Sequence, residues 1–131
     1  MNVYPIVTTS QLAECRAFYV KAFNATVLFE SEWYVHLRLA NWEVGFLRPN
    51  APKRLPVFQH ATPTRGLCFA IEVPDVQALH KDFVARGFDV LGKPETFPTG
   101  EVAFSVVDPA GVVLNVVEHR GGNASDEVIE L

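Results

Sequence analysis

The clearest structural signal in the chain is FSVVDPAGVVLNVVEH, residues 104–119. Pro109 presets φ for the second position of a type I turn, Asp108 can accept backbone N–H bonds, and Gly111 tolerates a positive φ. The runs on either side are rich in β-branched and aromatic residues, which predicts two strands joined by a tight turn. Asn115 is the one polar residue in the second run. A strand that is apolar on both faces is typically covered on both, here by helices on one side and by a ligand cavity or a second sheet on the other.

The composition is that of an ordinary globular protein and excludes several function classes. The chain has 131 residues, 49% hydrophobic and 20% charged, which predicts one domain with a sizeable core. A net charge of −4 argues against a nucleic-acid partner. We expect no membrane segment and no secretory signal. The isolated Cys15 and Cys68 indicate reduced thiols, so we expect a cytoplasmic protein.

The same order of elements is predicted twice along the chain. Each half is predicted as strand, helix and three strands, so we interpret the chain as a duplicated βαβββ module of the α+β class. Val3 to Val7 is the predicted first strand. A single domain is predicted over residues 1–120, with module 1 at 1–47, a connector at 48–65 and module 2 at 66–120. A flexible acidic tail follows at 121–131.

Two segments outside the hairpin carry functional signals. In the strand from Trp33 to Leu39, alternation predicts that Trp33, Val35, Leu37 and Leu39 share one face, and that Tyr34, His36 and Arg38 share the other. The proline-rich connector fits no regular element, and long connectors are often lids. Phe58 and His60 are its candidate functional residues.

Several short motifs resemble those of the glyoxalase/bleomycin-resistance/dioxygenase family, also called the vicinal oxygen chelate superfamily. They are Ser10-Gln11-Leu12 with Phe18-Tyr19, the run 66–73 (GLCFAIEV), Arg86-Gly87-Phe88 and Asp108-Pro109-Ala110-Gly111. The resemblance implies two βαβββ modules that form a curved, partly open mixed barrel. It also implies a homodimer, which family members of this size commonly form.

Enzymes of that family hold a divalent metal with His and Glu side chains at four positions. The resemblance places these positions at Tyr4, Gly45, Leu67 and Asn115. None of the four can supply the imidazole or carboxylate donors that such an ion needs. We therefore predict no metal, no cofactor and no catalytic residue at the family positions.

The metal positions also predict which residues line the cavity. Leu67, Phe69 and Ile71 would face it, as would Val113, Asn115 and Val117. The predicted ligand-binding residues are Tyr4, Tyr34, His36, Arg38, Glu43, Leu67, Phe69, Phe104 and Asn115. An apolar and aromatic cleft with a few polar groups is typical of a small-molecule site. Arg38 could bind an anionic ligand or form a salt bridge with Glu43, and the salt bridge is favoured.

Three functions fit these observations. The favoured one is a metal-independent protein that binds a small apolar or aromatic ligand or drug, as bleomycin-resistance proteins do. The alternative is a metal-dependent lyase, isomerase or ring-cleaving dioxygenase with a metal site displaced to His36, Glu43 and His60. The third is a structural or regulatory dimer whose own side chains fill the cleft.

Overall fold

The computed structural model describes residues 1–52, 56 and 67–119 of the chain. The predicted lid residues Phe58 and His60 lie outside the described residues. The other connector residues from 53 to 65, except residue 56, and the predicted tail at 121–131 also lie outside them. The described residues form two units, each with one helix and one four-stranded sheet.

The first unit contains β1 (Ile6–Thr8), α1 (Leu12–Phe23), β2 (Thr26–Glu30), β3 (Tyr34–Leu39) and β4 (Trp42–Leu47). Its strand order is β1-β4-β3-β2, with β1 parallel to β4 and the other neighbours antiparallel. The strand predicted from Val3 begins only at Ile6. Pro5 has no N–H for a sheet ladder, which explains why the strand starts after it.

The second unit repeats this arrangement. It contains β5 (Cys68–Glu72), α2 (Val76–Ala85), β6 (Asp89–Thr96), β7 (Glu101–Val107) and β8 (Val113–His119). Its strand order is β5-β8-β7-β6, with β5 parallel to β8. Both units therefore have the predicted strand–helix–strand–strand–strand order, and the α+β fold is confirmed. Both sheets are open.

The helix ends follow the local sequence. The Asp75 carboxylate accepts a hydrogen bond from the Ala78 N–H at 3.0 Å, which caps the first turn of α2. Gly87, just after the end of α2, has a φ of +78°, a conformation that glycine adopts without strain. Asn24 ends α1 in the left-handed conformation. In the described part of the chain, neither helix is long and apolar enough to span a membrane.

The hairpin of residues 104–119 has the predicted turn. The Asp108 side chain accepts a hydrogen bond from the Val112 N–H at 2.9 Å, and Gly111 has a φ of +88°. The turn fixes the register of β7 against β8, so that Ser105 lies opposite Asn115 and Phe104 opposite Val116. This register decides which side of the sheet each residue faces.

Each unit has its core between its helix and one face of its sheet. In the first unit, the ring of Tyr19 on α1 lies 5.3 Å from that of Phe46 on β4, and both side chains are fully buried. In the second unit, Phe83 on α2 lies 5.9 Å from Phe104 on β7. Since one face of each sheet packs on its helix, the other face is left to form a site.

Candidate functional site

The sheet face opposite α1 carries the polar side chains of the first unit. Val35 and Leu37 are buried on the helix side, whereas Tyr34 and His36 are partly exposed on the other side, as the alternation of β3 predicts. In the pairing of β3 with β4, His36 lies opposite Gly45, and Arg38 opposite Glu43. Register therefore places Glu43 and Gly45 on the same face as His36.

Tyr34, His36 and Glu43 form a continuous hydrogen-bonded chain. Tyr34 Oη lies 2.6 Å from His36 Nδ1, and His36 Nε2 lies 2.6 Å from Glu43 Oε1. Asn2 Nδ2 donates to the second carboxylate oxygen of Glu43 at 3.0 Å. We call the three residues Tyr34, His36 and Glu43 the relay. The sequence pattern predicts that the three residues lie on one face, but it does not predict these hydrogen bonds.

Hydrogen bonds and nearby positive charge keep Glu43 ionised. The hydrogen bond from His36, then that from Asn2, lowers the pKa of Glu43, and the positive charge of Arg38 also lowers it. Glu43 is therefore a carboxylate near neutral pH and can only accept hydrogen bonds. The partners of Glu43 are His36 and Asn2, whereas the sequence favoured a salt bridge with Arg38.

Gly45 makes room for the Tyr34 hydroxyl. A Cβ built at Gly45 would overlap Tyr34 Oη and would lie 2.7 Å from Cζ of the same ring. The phenol thus fills the space into which any other side chain at position 45 would project. Position 45 is also where the sequence resemblance places a metal ligand of the family enzymes.

Tyr34 and His36 of the relay border an open cleft of about 770 Å³ in the first unit. Its walls are mostly aromatic or apolar, and the Tyr4 ring contacts His36 edge-on, with the ring centroids 4.4 Å apart. The lining residues are Tyr4, Ile6, Phe29, Ser31, Trp33, Tyr34, His36, Ala51 and Pro52. A volume of this size and an apolar lining are typical of small-molecule sites.

Sequence reasoning missed Phe29 and Trp33 in this cleft. Trp33 was predicted to share a face with Val35, but it precedes β3, so strand alternation does not constrain it. Phe29 is opposite His36 because a register shift separates it from Val27, which pairs with Leu37. Bulges of this kind leave little trace in a single sequence.

In the second unit, two residues lie on the face of the sheet opposite to the predicted one. Phe104 is 3% exposed, and its ring contacts Phe83 of α2, so Phe104 lies on the helix side of the sheet. Phe69 is 7% exposed and pairs with Leu114, which shares that side. The prediction that Phe69 and Phe104 present their rings to a cavity is therefore wrong.

The opposite side of that sheet contains Asn115, as predicted. Asn115 pairs with Ala70 and with Ser105, and these three residues face away from α2. Asn115 and Ser105 border a small cleft of about 190 Å³, which Ala103 and Phe104 also border. Leu67 precedes β5 and is 50% exposed. A ligand-binding role for Asn115 and Leu67 stays a prediction.

The four family metal positions do not fit a metal ion. Tyr4 packs its ring against His36, and the space above Gly45 is filled by the Tyr34 phenol. Leu67 and Asn115 offer an alkyl group and a neutral amide, neither of which replaces imidazole or carboxylate. Within residues 1–52, 56 and 67–119, no three His, Cys, Asp or Glu side chains come together as a metal-binding group.

The sequence model of the Glyoxalase/Bleomycin resistance protein/Dioxygenase superfamily matches residues 3–116, and the chain belongs to this superfamily. A search of curated proteins finds no match by sequence.

Solved structures show the same fold at low sequence identity. A lactoylglutathione lyase from Agrobacterium tumefaciens is 20% identical over 90% of this chain and 92% of its own, with a TM-score of 0.71. A glyoxalase/bleomycin resistance protein/dioxygenase from Nocardioides is 14% identical over 93% and 85%, with a TM-score of 0.76. A bleomycin resistance determinant encoded on transposon Tn5 is 15% identical over 92% and 99%, with a TM-score of 0.60. The relatives thus include both an enzyme and a resistance protein.

Proposed function

We propose that this protein binds a small apolar or aromatic molecule in the cleft of its first unit without a metal ion. The observation that carries the proposal is the position of the Tyr34 hydroxyl above Gly45. At the position where the resemblance places a metal ligand of the family enzymes, this chain has a glycine covered by a phenol. The bleomycin resistance determinant among the structural neighbours gives a precedent for a resistance protein on this fold.

The lining of the cleft supports an aromatic or apolar ligand. Phe29, Trp33 and Tyr4 offer ring surfaces, and Ile6, Ala51 and Pro52 offer aliphatic ones. Aromatic side chains supply large contact areas with little loss of conformational entropy, since each has two side-chain torsions. The polar side chains that line the cleft are Ser31 and two members of the relay, Tyr34 and His36.

The displaced metal site is the second candidate, favoured by the contact between His36 and Glu43 at 2.6 Å. Both ring nitrogens of His36 already have hydrogen-bond partners in the relay. Metal binding would therefore cost His36 one of these bonds, and the third predicted ligand of the displaced site, His60, lies outside the described residues. The metal-independent proposal needs neither step.

A ligand screen tests the proposal. Small aromatic amines, alcohols and heterocycles should include compounds that raise Tm progressively with concentration, because a ligand that binds only the native state stabilises it by mass action. Trp33→Ala should abolish the increase, since Trp33 lines the cleft.

Trp42→Ala is the matched control, because it removes the same ring from a position that does not line the cleft. Binding should survive in this variant. The proposal is contradicted if no compound raises Tm, or if Trp42→Ala abolishes binding while Trp33→Ala preserves it.

A further inference from the structure

The relay has a defined hydrogen-bond direction when His36 is neutral. The Glu43 carboxylate accepts only, so the Nε2 atom that contacts it at 2.6 Å carries the ring's single hydrogen. Nδ1 is then an acceptor, and the Tyr34 hydroxyl donates to it at 2.6 Å. Each step follows from the donors and acceptors that the side chains possess.

This direction determines what Tyr34 can offer to a ligand. The single phenol hydrogen is directed at His36, so toward a ligand the oxygen can act only as an acceptor. Hydrogen bonds in a chain polarise one another, and a hydroxyl that donates to an imidazole becomes a stronger acceptor. Gly45 leaves the space that this oxygen occupies, and Tyr34 lines the cleft.

The geometry points to Tyr34 as a specificity-determining acceptor that selects aromatic ligands with an N–H or O–H donor. Ligands of the same shape that carry only an acceptor are disfavoured, because two facing acceptors leave both without a hydrogen. This inference rests on the proposed function, since it requires a ligand in the cleft. It adds the chemical class of the ligand: an apolar aromatic body with a hydrogen-bond donor.

Protonation of His36 should remove the preference. The imidazolium carries a hydrogen on Nδ1 and donates it to Tyr34 Oη, which frees the phenol hydrogen for a ligand acceptor. Among the described residues, the ionisable side chains that contact His36 are Tyr4, Tyr34 and Glu43, with Arg38 on the same strand face. Of these, only Tyr34 and Glu43 hydrogen-bond to the ring.

Indole and benzofuran form a matched probe pair, because they share a shape and differ in an N–H donor against an oxygen acceptor. Dissociation constants would be measured from amide NMR shifts of β3 and β4, at a pH where the imidazole nitrogen signals show a neutral His36. Indole should bind about tenfold more tightly, the equivalent of one hydrogen bond of about 1.4 kcal/mol. In Tyr34→Phe the ratio should fall to about one.

Tyr4→Phe is the control, since it removes a hydroxyl from the same cleft and keeps the ring that contacts His36. The indole preference should persist in this variant and should disappear when the nitrogen signals show a protonated His36. Equal binding of both probes, or a preference retained in Tyr34→Phe or after protonation, overturns the inference and leaves the proposed function intact. Binding of neither probe also overturns the inference, and the ligand screen then decides the proposed function separately.

Discussion

Replacing Phe104 with Ala is expected to lower the free energy of unfolding by about 3–5 kcal/mol. Phe104 is 3% exposed and packs against Phe83 and His80 of α2, so truncation leaves a cavity in the core of the second unit. The measurement is chemical denaturation. Binding of aromatic probes to the cleft of the first unit should be unchanged under conditions where the variant is folded.

Phe97→Ala is the control for this experiment. Phe97 is 44% exposed, so loss of its ring should change the free energy of unfolding by less than about 1 kcal/mol. A loss in Phe104→Ala no larger than in Phe97→Ala would contradict the position of Phe104 in the core.

Replacing Gly45 with Ala is expected to remove the indole preference and to destabilise the protein by about 1–2 kcal/mol. The new Cβ would overlap Tyr34 Oη, so the phenol must move and its hydrogen bond to His36 is lost. The backbone at Gly45 does not adopt a positive φ, so Ala brings no backbone strain of its own. Probe titration and chemical denaturation measure the two effects.

In a Tyr34→Ala background, Gly45→Ala should instead raise the free energy of unfolding. Without the phenol, Ala at position 45 meets no overlap from that ring, and a strand favours Ala over Gly by about 0.5–1 kcal/mol. This difference between the two backgrounds is the coupling energy of the pair. A Gly45→Ala effect that is the same in both backgrounds would show that Tyr34 does not occupy the space above Gly45.

Local signals predicted much of the fold. Asp75 caps the start of α2, and Gly87 lies just beyond its end. Both residues act on backbone groups only a few positions away, so the local sequence is enough to predict them. The Asp-Pro-Ala-Gly turn is equally local. The two faces of β3 followed from alternation alone, which is why His36 and Tyr34 were correctly placed together.

The errors came from register, which depends on contacts between distant residues. Placing a family metal position at Leu67 puts Phe69 on the cavity side of β5. The strand instead begins at Cys68, and Ala70 pairs with Asn115. A register shift of one residue moves every side chain of a strand to the other face. The misplaced register at Leu67 therefore put Phe69 on the wrong face.

The relay was beyond prediction from sequence. Alternation brings Tyr34 and His36 to one face, but it does not determine which rotamers bring Tyr34 Oη to Nδ1 and Glu43 to Nε2. From the sequence alone, Gly45 is only a family metal position without a metal-binding side chain. Its role in making room for the phenol depends on the cross-strand pairing of His36 with Gly45.

Whether probe binding requires a metal ion can be measured directly. The dissociation constant for indole would be measured on chelator-treated protein and again after incubation with Zn²⁺, Ni²⁺, Mn²⁺ or Fe²⁺, with elemental analysis of each sample after dialysis. Metal-independent binding predicts the same constant within about twofold and less than about a tenth of an equivalent of retained metal. Retention of about one equivalent, with binding lost on chelation and restored by the ion, would contradict the account.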